Sequence, residues 1–300
     1  MERNSSASRS LELGLLALAN LVGGSSAILI KASTINPVLQ ASYRLLFSAV
    51  LLTPVFFREL RRSGRRLNFA LVAPSLLPGV ILGLHFISWI LGARMTLAGN
   101  ATVIVTMVPV AMPFLVFFMS RELPRKAEVW GTIVAMAGVA VLASFDFHFA
   151  PEHFLGDLVC FVAMLFYSVY LALARSRAPR DGGLWLYIVP LYFAGGIFDF
   201  LCALPFANPV RGITRTDLIM TLALAIGPTI VGHSLMNRAM TRLQPQIVSL
   251  SNLTQFIVAG ILAFLLFGEL PRPEFAAASV LIVAGIALPI VQRRAPRPGA

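Results

Sequence analysis

Long apolar runs alternate with short polar connectors along almost the whole chain. About 20 helical residues cross the hydrocarbon layer of a bilayer, and the runs are close to that length. Outer-membrane β-strands would give shorter segments with alternating apolar and polar residues. The pattern therefore predicts an all-α membrane protein with ten transmembrane helices. These spans, numbered 1 to 10, lie at 13–30, 38–57, 69–91, 97–119, 129–145, 155–174, 184–207, 218–236, 247–267 and 275–291.

The composition supports this reading, because 58% of the residues are hydrophobic and the mean hydropathy is +0.83. Soluble proteins are about 45–50% apolar. No connector is long enough for a soluble domain, so the lipid bilayer is the expected surrounding of the chain. Residues 1–10 are polar and lack the apolar core and cleavage site of a removable signal. They are expected to form a cytoplasmic tail.

The basic residues are concentrated in alternate connectors. With a cytoplasmic N-terminus, 18 Lys and Arg residues fall on the cytoplasmic side and 5 on the other, within a net charge of +11. Cytoplasmic loops of membrane proteins carry such an excess, whereas a nucleic-acid-binding protein gathers its charge on one surface. We therefore expect a multi-pass protein of the cell (inner) membrane and no nucleic-acid partner. Both termini, including a basic tail at 293–300, are predicted to be cytoplasmic.

A charged tetrapeptide, Glu-Leu-Pro-Arg, occurs twice, at 122–125 and at 269–272. The two copies are 147 residues apart, and an offset of 145 residues, two fewer, places Met95-Thr96 over Met240-Thr241. These matches predict two five-helix repeats, at 11–147 and 155–292. Because five is odd, the second repeat enters the membrane from the opposite side. Inverted repeats are typical of transporters that bind substrate near the midplane and open to each side in turn.

These features together resemble a known family. The chain also has Arg44 inside span 2, the stretch GHSLMNRAM at 232–240, and the small-residue stretch AGVAVL at 137–142. It is similar to the drug/metabolite transporter (DMT) superfamily, in the EamA-domain branch, over nearly its whole length. The resemblance implies a transporter that exports small metabolites, with amino acids handled by some members. No cofactor is expected.

Uncharged polar and aromatic side chains inside the spans are the candidate substrate-binding residues. A polar group in hydrocarbon is costly and needs a partner, which is either a substrate or a neighbouring helix. Several candidates share a helix face at a spacing of three or four residues, and Thr106 corresponds to Ser251 in the other repeat. The candidates are His85, Trp89, Thr106, Tyr167, His233, Asn237, Asn252 and Gln255.

Two charged residues also lie inside spans, each about 10 Å from the outer end. Arg44 lies in span 2 and Asp199 in span 7, so a shared depth permits an ion pair without requiring one. Asp199 is the only acid well inside a span and is the candidate for binding a transported proton or cation. The alternative for both residues is a structural charge with a partner on a nearby helix.

The candidate chemistry favours transport over catalysis. The chain lacks the phosphate-binding, zinc-protease and serine-hydrolase motifs, and Cys160 and Cys202 lie in apolar spans, so neither a catalytic nor a metal site is expected. Amide, hydroxyl, imidazole and aromatic groups suit small neutral or zwitterionic solutes such as amino acids. Drug or organic-cation efflux is the alternative, and a membrane-embedded enzyme or a non-transporting scaffold belongs to a different class. The sequence leaves open whether two copies form a homodimer.

The topology is testable with reporter fusions. Fusions after Arg66, Arg125 and Arg180 are expected to report the cytoplasm, because these residues lie in the basic connectors. Fusions near His148 and Asn208 are expected to report the opposite side. A cytoplasmic signal at His148 would contradict the inverted repeat, since span 5 must then fail to cross the membrane.

Overall fold

A computed structural model describes residues 2–146, 151–179, 183–267 and 273–292. The second Glu-Leu-Pro-Arg segment at 269–272, the basic tail at 293–300 and the fusion positions His148 and Arg180 lie outside the described residues. The described residues are almost entirely helical. Helix α1 begins at Glu2, so the residues expected as a polar tail continue the first helix.

The first repeat contains seven helices, because spans 1 and 4 are each made of two. They are α1 (Glu2–Gly23), α2 (Ser26–Lys31), α3 (Pro37–Ser63), α4 (Phe69–Met95), α5 (Ala98–Thr106), α6 (Val108–Ser120) and α7 (Lys126–Asp146).

The second repeat is similarly divided. Its α-helices are α8 (Pro151–Arg177), α9 (Leu184–Ala203), α10 (Arg215–Leu224), α11 (Ser234–Arg242), α12 (Pro245–Ser251), α13 (Thr254–Phe267) and α14 (Pro273–Gln292). A π-helical segment, Ala225–His233, joins α10 to α11 inside span 8.

The prediction of an all-α membrane protein is confirmed. Within the described ranges, nine helical stretches are long and apolar enough to cross a membrane, and α7 supplies the fifth span. Equivalent spans of the two repeats pack on each other, α3 on α9 and α7 on α14. The fold is therefore the predicted ten-helix bundle of two inverted five-helix repeats.

Local sequence signals set several helix ends. Asn36 precedes α3, and its side chain accepts hydrogen bonds from the backbone N–H groups of Val38 and Leu39. Pro37 then occupies the first helical position, where its missing N–H costs nothing. The helix ends at Gly64, which adopts φ 64° in the left-handed region.

The contact between α7 and α14 brings two backbones together at glycine. A Cβ atom at Gly131 would lie 2.5 Å from the carbonyl oxygen of Gly285, and the reverse distance is also 2.5 Å. Neither position can take a side chain without moving a backbone. Small residues at helix contacts are a common means of packing in membranes, where tight van der Waals contact drives association. Spans 5 and 10 are therefore held together as scaffolding.

Acidic side chains link the ends of spans between the two halves of the bundle. Glu12 in span 1 pairs with Arg238 of span 8 at 2.7 Å. Asp157, which the 145-residue offset makes equivalent to Glu12, accepts a hydrogen bond from the Thr96 hydroxyl at 2.6 Å. Equivalent positions of the two repeats thus hold an ion pair in one case and a neutral donor in the other.

The first tetrapeptide has a structural role of its own. Glu122 receives two hydrogen bonds from the Arg175 guanidinium, at 2.9 and 3.1 Å. Arg175 also donates to the carbonyl oxygen of Met240 at 3.0 Å. Because bidentate arginine–carboxylate pairs fix geometry as well as charge, this residue ties the ends of spans 4, 6 and 8 together.

Asp217 caps a helix and joins two spans at the same time. Its Oδ2 accepts from the backbone and hydroxyl of Thr214, which forms a reciprocal capping box with it. Its Oδ1 accepts from the Ser33 hydroxyl at 2.7 Å and from the backbone N–H groups of Thr34 and Ile35 at 2.6 and 3.1 Å. One buried carboxylate therefore holds the start of span 8 against the connector after span 1.

Asp217→Ala is expected to lower the melting temperature of the purified protein by several degrees. The substitution leaves the buried Ser33 hydroxyl and the buried backbone N–H of Ile35 without this acceptor, at about 1–3 kcal/mol for each. Glu152→Ala is the matched control, because Glu152 is an exposed acid in the first turn of α8. Equal melting temperatures for the two variants would contradict the role given to Asp217.

Candidate functional site

A cavity of about 40 Å³ lies between the two repeats and has room for on the order of three water molecules. Spans 1, 2, 3 and 4 of the first repeat and spans 6, 8 and 9 of the second contribute to its wall. Its lining residues are Ala19, Gly23, Ser26, Arg44, His85, Phe86, Trp89, Val105, Thr106, Tyr167, Pro228, Gly232, His233, Met236 and Gln255.

Irregular stretches of four spans converge on this cavity. Span 1 is interrupted between Gly23 and Ser26, span 4 at Met107, and span 9 between Ser251 and Thr254. The 145-residue offset places Met107 over Asn252, so the breaks in spans 4 and 9 are equivalent. Broken helices supply unpaired backbone groups and side chains at transporter binding sites, and they are tolerated at membrane depth only inside protein.

The π-helical segment of span 8 is the fourth irregular stretch, and neighbouring spans hold it in place. The Thr229 hydroxyl donates to the carbonyl of Leu224, five residues earlier, at 2.9 Å. Tyr192 of span 7 donates to the carbonyl of Thr229 at 2.9 Å, and Ser48 of span 2 donates to that of Ala225 at 3.0 Å. The wide turn is therefore secured by side chains from spans 2 and 7.

An aromatic cluster forms one wall of the cavity. The rings of His85 and Tyr167 stack with centroids 4.8 Å apart, and His233 meets Tyr167 edge-on at 5.4 Å. Phe86 contacts His233 edge-on at 5.0 Å. His85 Nδ1 lies 2.9 Å from the carbonyl oxygen of Ala163, which orients its ring. These rings form a rigid surface suited to the apolar part of a small solute.

A chain of amide groups supports the cavity next to the aromatic cluster, and Gln255 is its member in the lining. Gln255 Nε2 donates to Asn20 Oδ1 at 3.1 Å and to Asn252 Oδ1 at 2.9 Å. Asn20 Nδ2 donates to the Ser251 hydroxyl at 2.9 Å, and the Tyr167 hydroxyl donates to Asn252 Oδ1 at 3.2 Å. Span 9 is thus tied to spans 1 and 6 on the side facing the cavity.

Gly23 allows this amide chain to approach span 1. A Cβ atom at Gly23 would lie 2.8 Å from Gln255 Oε1, and one at Gly24 would lie 2.8 Å from the carbonyl oxygen of Gln255. Side chains at these positions would push span 9 outward. The glycines at the interruption of span 1 therefore allow span 9 to pack closely against it, in addition to allowing span 1 to bend.

Arg44 enters the cavity from span 2 and is 1% exposed. Its Nε donates to the Thr229 hydroxyl at 2.6 Å, and its guanidinium carbon lies 3.8 Å from the centre of the Phe86 ring. The described side chains include no carboxylate within ion-pair distance of Arg44. Among the described residues, the guanidinium is held by the Thr229 and Ser26 hydroxyls and by the face of Phe86.

The structure brings six of the eight predicted binding residues to the cavity wall: His85, Trp89, Thr106, Tyr167, His233 and Gln255. Asn252 lies behind Gln255, where it is fully buried. Asn237 is turned away from the cavity, because its amide nitrogen donates to the Tyr170 hydroxyl and to the carbonyl of His233. These two residues support the wall without forming it.

Arg44 and Asp199 are not brought together. Asp199 is fully buried on α9, and a Cβ atom added to Gly83 would meet its Oδ1 at 2.4 Å, so the carboxyl group faces the backbone of α4. Neither of its oxygens has a hydrogen-bond partner among the described residues. Asp199 is absent from the cavity lining, whereas Arg44 is part of it.

Ser26 and Phe86, both of which contact Arg44, are not among the binding residues predicted from the sequence. The Gly-Gly-Ser-Ser stretch at 23–26 was the available signal for Ser26, since it breaks span 1. Phe86 carries no signal, because a phenylalanine in an apolar run is ordinary. In the part of the chain that the structure describes, no group of three His, Cys, Asp or Glu residues is arranged to hold a metal ion.

Comparison with known proteins finds a family and solved structures that are similar to the chain. The family described as the EamA-like transporter family matches residues 11–144 and again residues 154–291. One solved structure, described only as the crystal structure of a protein, has a TM-score of 0.74 at 19% sequence identity, and the match covers 94% of this chain and 98% of that one. That likeness concerns the fold. No curated protein matches the chain in sequence.

Cysteine labelling tests which residues face the cavity. In a background with Cys160 and Cys202 replaced by serine, a water-soluble maleimide is expected to modify Gln255→Cys. It is expected to miss Ala135→Cys and Asn252→Cys, because both native residues are fully buried behind other side chains. Equal modification of positions 135 and 255 would contradict the assignment of the cavity.

Proposed function

The chain belongs to the EamA-like transporter family, and from this we propose that it exports small neutral or zwitterionic metabolites, with amino acids the leading class. The family match covers both repeats and makes the chain a membrane transporter of the DMT type. Members of this family are transporters and not enzymes, which excludes a membrane-embedded enzyme. The proposal concerns which class of substrate is transported and in which direction.

The observation that carries the proposal is the chemistry of the cavity between the repeats. Its wall combines an amide, hydroxyls, two imidazoles and aromatic rings. Such groups donate and accept hydrogen bonds at fixed positions while the rings cover an apolar portion. A small solute with both polar and apolar parts fits this wall.

Drug or organic-cation efflux is less well supported. A permanent cation in a low-dielectric site needs an opposite charge nearby, because its desolvation is expensive. The cavity lining contains no Asp or Glu and does contain Arg44. The guanidinium would repel a cationic solute at short range, so the lining favours neutral or zwitterionic solutes.

The proposed mechanism is alternating access in the cell membrane, with both termini in the cytoplasm. The two units at 11–147 and 155–292 are similar and oppositely oriented, so each can adopt the conformation of the other and move the opening from one side to the other. The 18-to-5 distribution of basic residues supports this orientation. Broken spans around the cavity supply the positions at which helices can bend.

Gln255→Ala is expected to weaken the apparent affinity for transported amino acids by about five- to a hundred-fold. The change removes the one lining amide, and a lost buried hydrogen bond costs about 1–3 kcal/mol. The measurement is concentration-dependent uptake of labelled L-amino acids into sealed liposomes that contain the purified protein.

Gln246→Ala is the matched control for this experiment. Gln246 is a glutamine of α12, directly before span 9, and its side chain donates to the Pro109 carbonyl and the Thr132 hydroxyl, away from the cavity. Its replacement is expected to leave the apparent affinity within about twofold of the parent, because it removes no cavity group. If Gln255→Ala transports like the parent, or if only organic cations are moved, the proposed function fails.

A further inference from the structure

Arg44 places a positive charge in the cavity, and the described residues supply no negative partner for it. Its side chain is 1% exposed, and no described carboxylate lies within ion-pair distance of it. Burying an arginine is costly unless its charge is matched and its donors are satisfied. Its contacts in the structure are the Thr229 and Ser26 hydroxyls and the face of Phe86.

Only one of these hydrogen bonds is short. Arg44 Nε lies 2.6 Å from the Thr229 hydroxyl, which fixes the orientation of the guanidinium plane. Its Nη1 lies 3.5 Å from Ser26 Oγ, beyond the 2.7–3.2 Å that is usual for such bonds. The hydrogen bond from Nε therefore positions the guanidinium, while Nη1 has only a long, weak hydrogen bond.

A second donor converges on the same place. Trp89 Nε1 lies 3.4 Å from Ser26 Oγ, so the indole N–H and the guanidinium share one distant hydroxyl acceptor. All three residues line the cavity. A carboxylate oxygen near Ser26 would accept from both donors, and charge-assisted bonds of about 2.7–2.9 Å are stronger than those present.

From this convergence we propose that Arg44, Trp89 and Ser26 form a carboxylate-binding subsite. The ligand class is a small monocarboxylate solute, which includes the α-amino acids. The inference rests on the proposed transport function and deepens it, because it requires an acidic group on the substrate. A neutral solute without a carboxylate would leave Arg44 unpaired.

Gln255 supplies a matching acceptor for the ammonium group of such a solute. Its amide nitrogen donates to Asn20 and Asn252, whereas its Oε1 lies beside Gly23, another lining residue, with no hydrogen-bond donor among the described residues. A carbonyl oxygen accepts from an ammonium group, and the aromatic faces of the wall add cation–π attraction. The two ends of a zwitterion thus have separate places in one cavity.

The test is a competition between acids and their amides. Sealed liposomes containing the protein are given the standard L-amino acids together with the corresponding L-amino-acid amides, and accumulated solutes are measured by mass spectrometry. An amide keeps the side chain and the ammonium group and lacks the carboxylate. For the parent protein, each transported acid is expected to exceed its amide by about tenfold or more.

Variants at Arg44 identify the residue responsible. Arg44→Gln is expected to reduce the acid-to-amide ratio to about one, and Arg44→Lys is expected to keep part of it, because lysine retains the charge without the planar fork. Arg94→Gln is the matched control. Arg94 is a partly buried arginine that donates to the Ile35 carbonyl and to Gln40, outside the cavity. It is expected to preserve the ratio.

Trp89→Phe is a second test of the subsite, which can be measured even if Arg44→Gln does not fold. This change removes the indole N–H and keeps an aromatic ring, and it is expected to lower the acid-to-amide ratio severalfold. The inference is overturned if the parent shows no preference for acids, or if folded Arg44→Gln keeps that preference. It is also overturned if Arg44→Gln is unfolded and both Arg44→Lys and Trp89→Phe keep the full ratio.

The outcomes separate the inference from the proposed function. Equal transport of acids and amides would remove the carboxylate subsite while leaving transport of small metabolites intact. Failure to accumulate any amino acid, amino-acid amide or other neutral metabolite would remove the proposed function, and the subsite with it.

Discussion

The structure depends on one constraint, which is that backbone N–H and C=O groups at membrane depth must find partners inside the protein. Regular helices meet this requirement by themselves, so an interrupted helix is tolerated only where other spans or a wet cavity surround it. Spans 1, 4, 8 and 9 are irregular, and their irregular stretches meet at the same cavity. In the π-helical segment of span 8, the Thr229 hydroxyl donates to the carbonyl of Leu224, and the Tyr192 hydroxyl donates to the carbonyl of Thr229.

The spans and the repeat could be predicted because both are properties of the chain in one dimension. Run length decides the number of crossings, and a recurring offset reveals the duplication. Six of eight binding candidates also reached the cavity wall, since depth and helix face follow from spacing. Asn237 did not, because side chains at that depth also bond to neighbouring helices, and the sequence does not reveal which partner is nearest. The partners of Arg44 could not be predicted from the sequence either, since Thr229 lies 185 residues away along the chain.

The two repeats share a backbone plan while differing in the charges placed on it. The offset that relates Glu12 to Asp157 also relates the breaks in spans 4 and 9. Glu12 faces an arginine, whereas Asp157 faces a threonine hydroxyl. Arg44 belongs to the first repeat, and the equivalent position 189 of the second repeat is a valine. The duplication therefore determines the backbone arrangement. Residues that differ between equivalent positions of the two repeats determine the chemistry of the cavity.

The position of Trp89 gives the protein an optical sensor of its own. The chain has three tryptophans, and Trp89 alone lines the described cavity, with 5% of its surface exposed. Trp130 lies on the outer surface with 61% exposed, and Trp185 lies at the start of α9. With phenylalanine at those two positions, all indole fluorescence comes from the cavity. Because indole emission moves to longer wavelength as water surrounds the ring, the colour of the emitted light reports the hydration of the cavity without any attached dye.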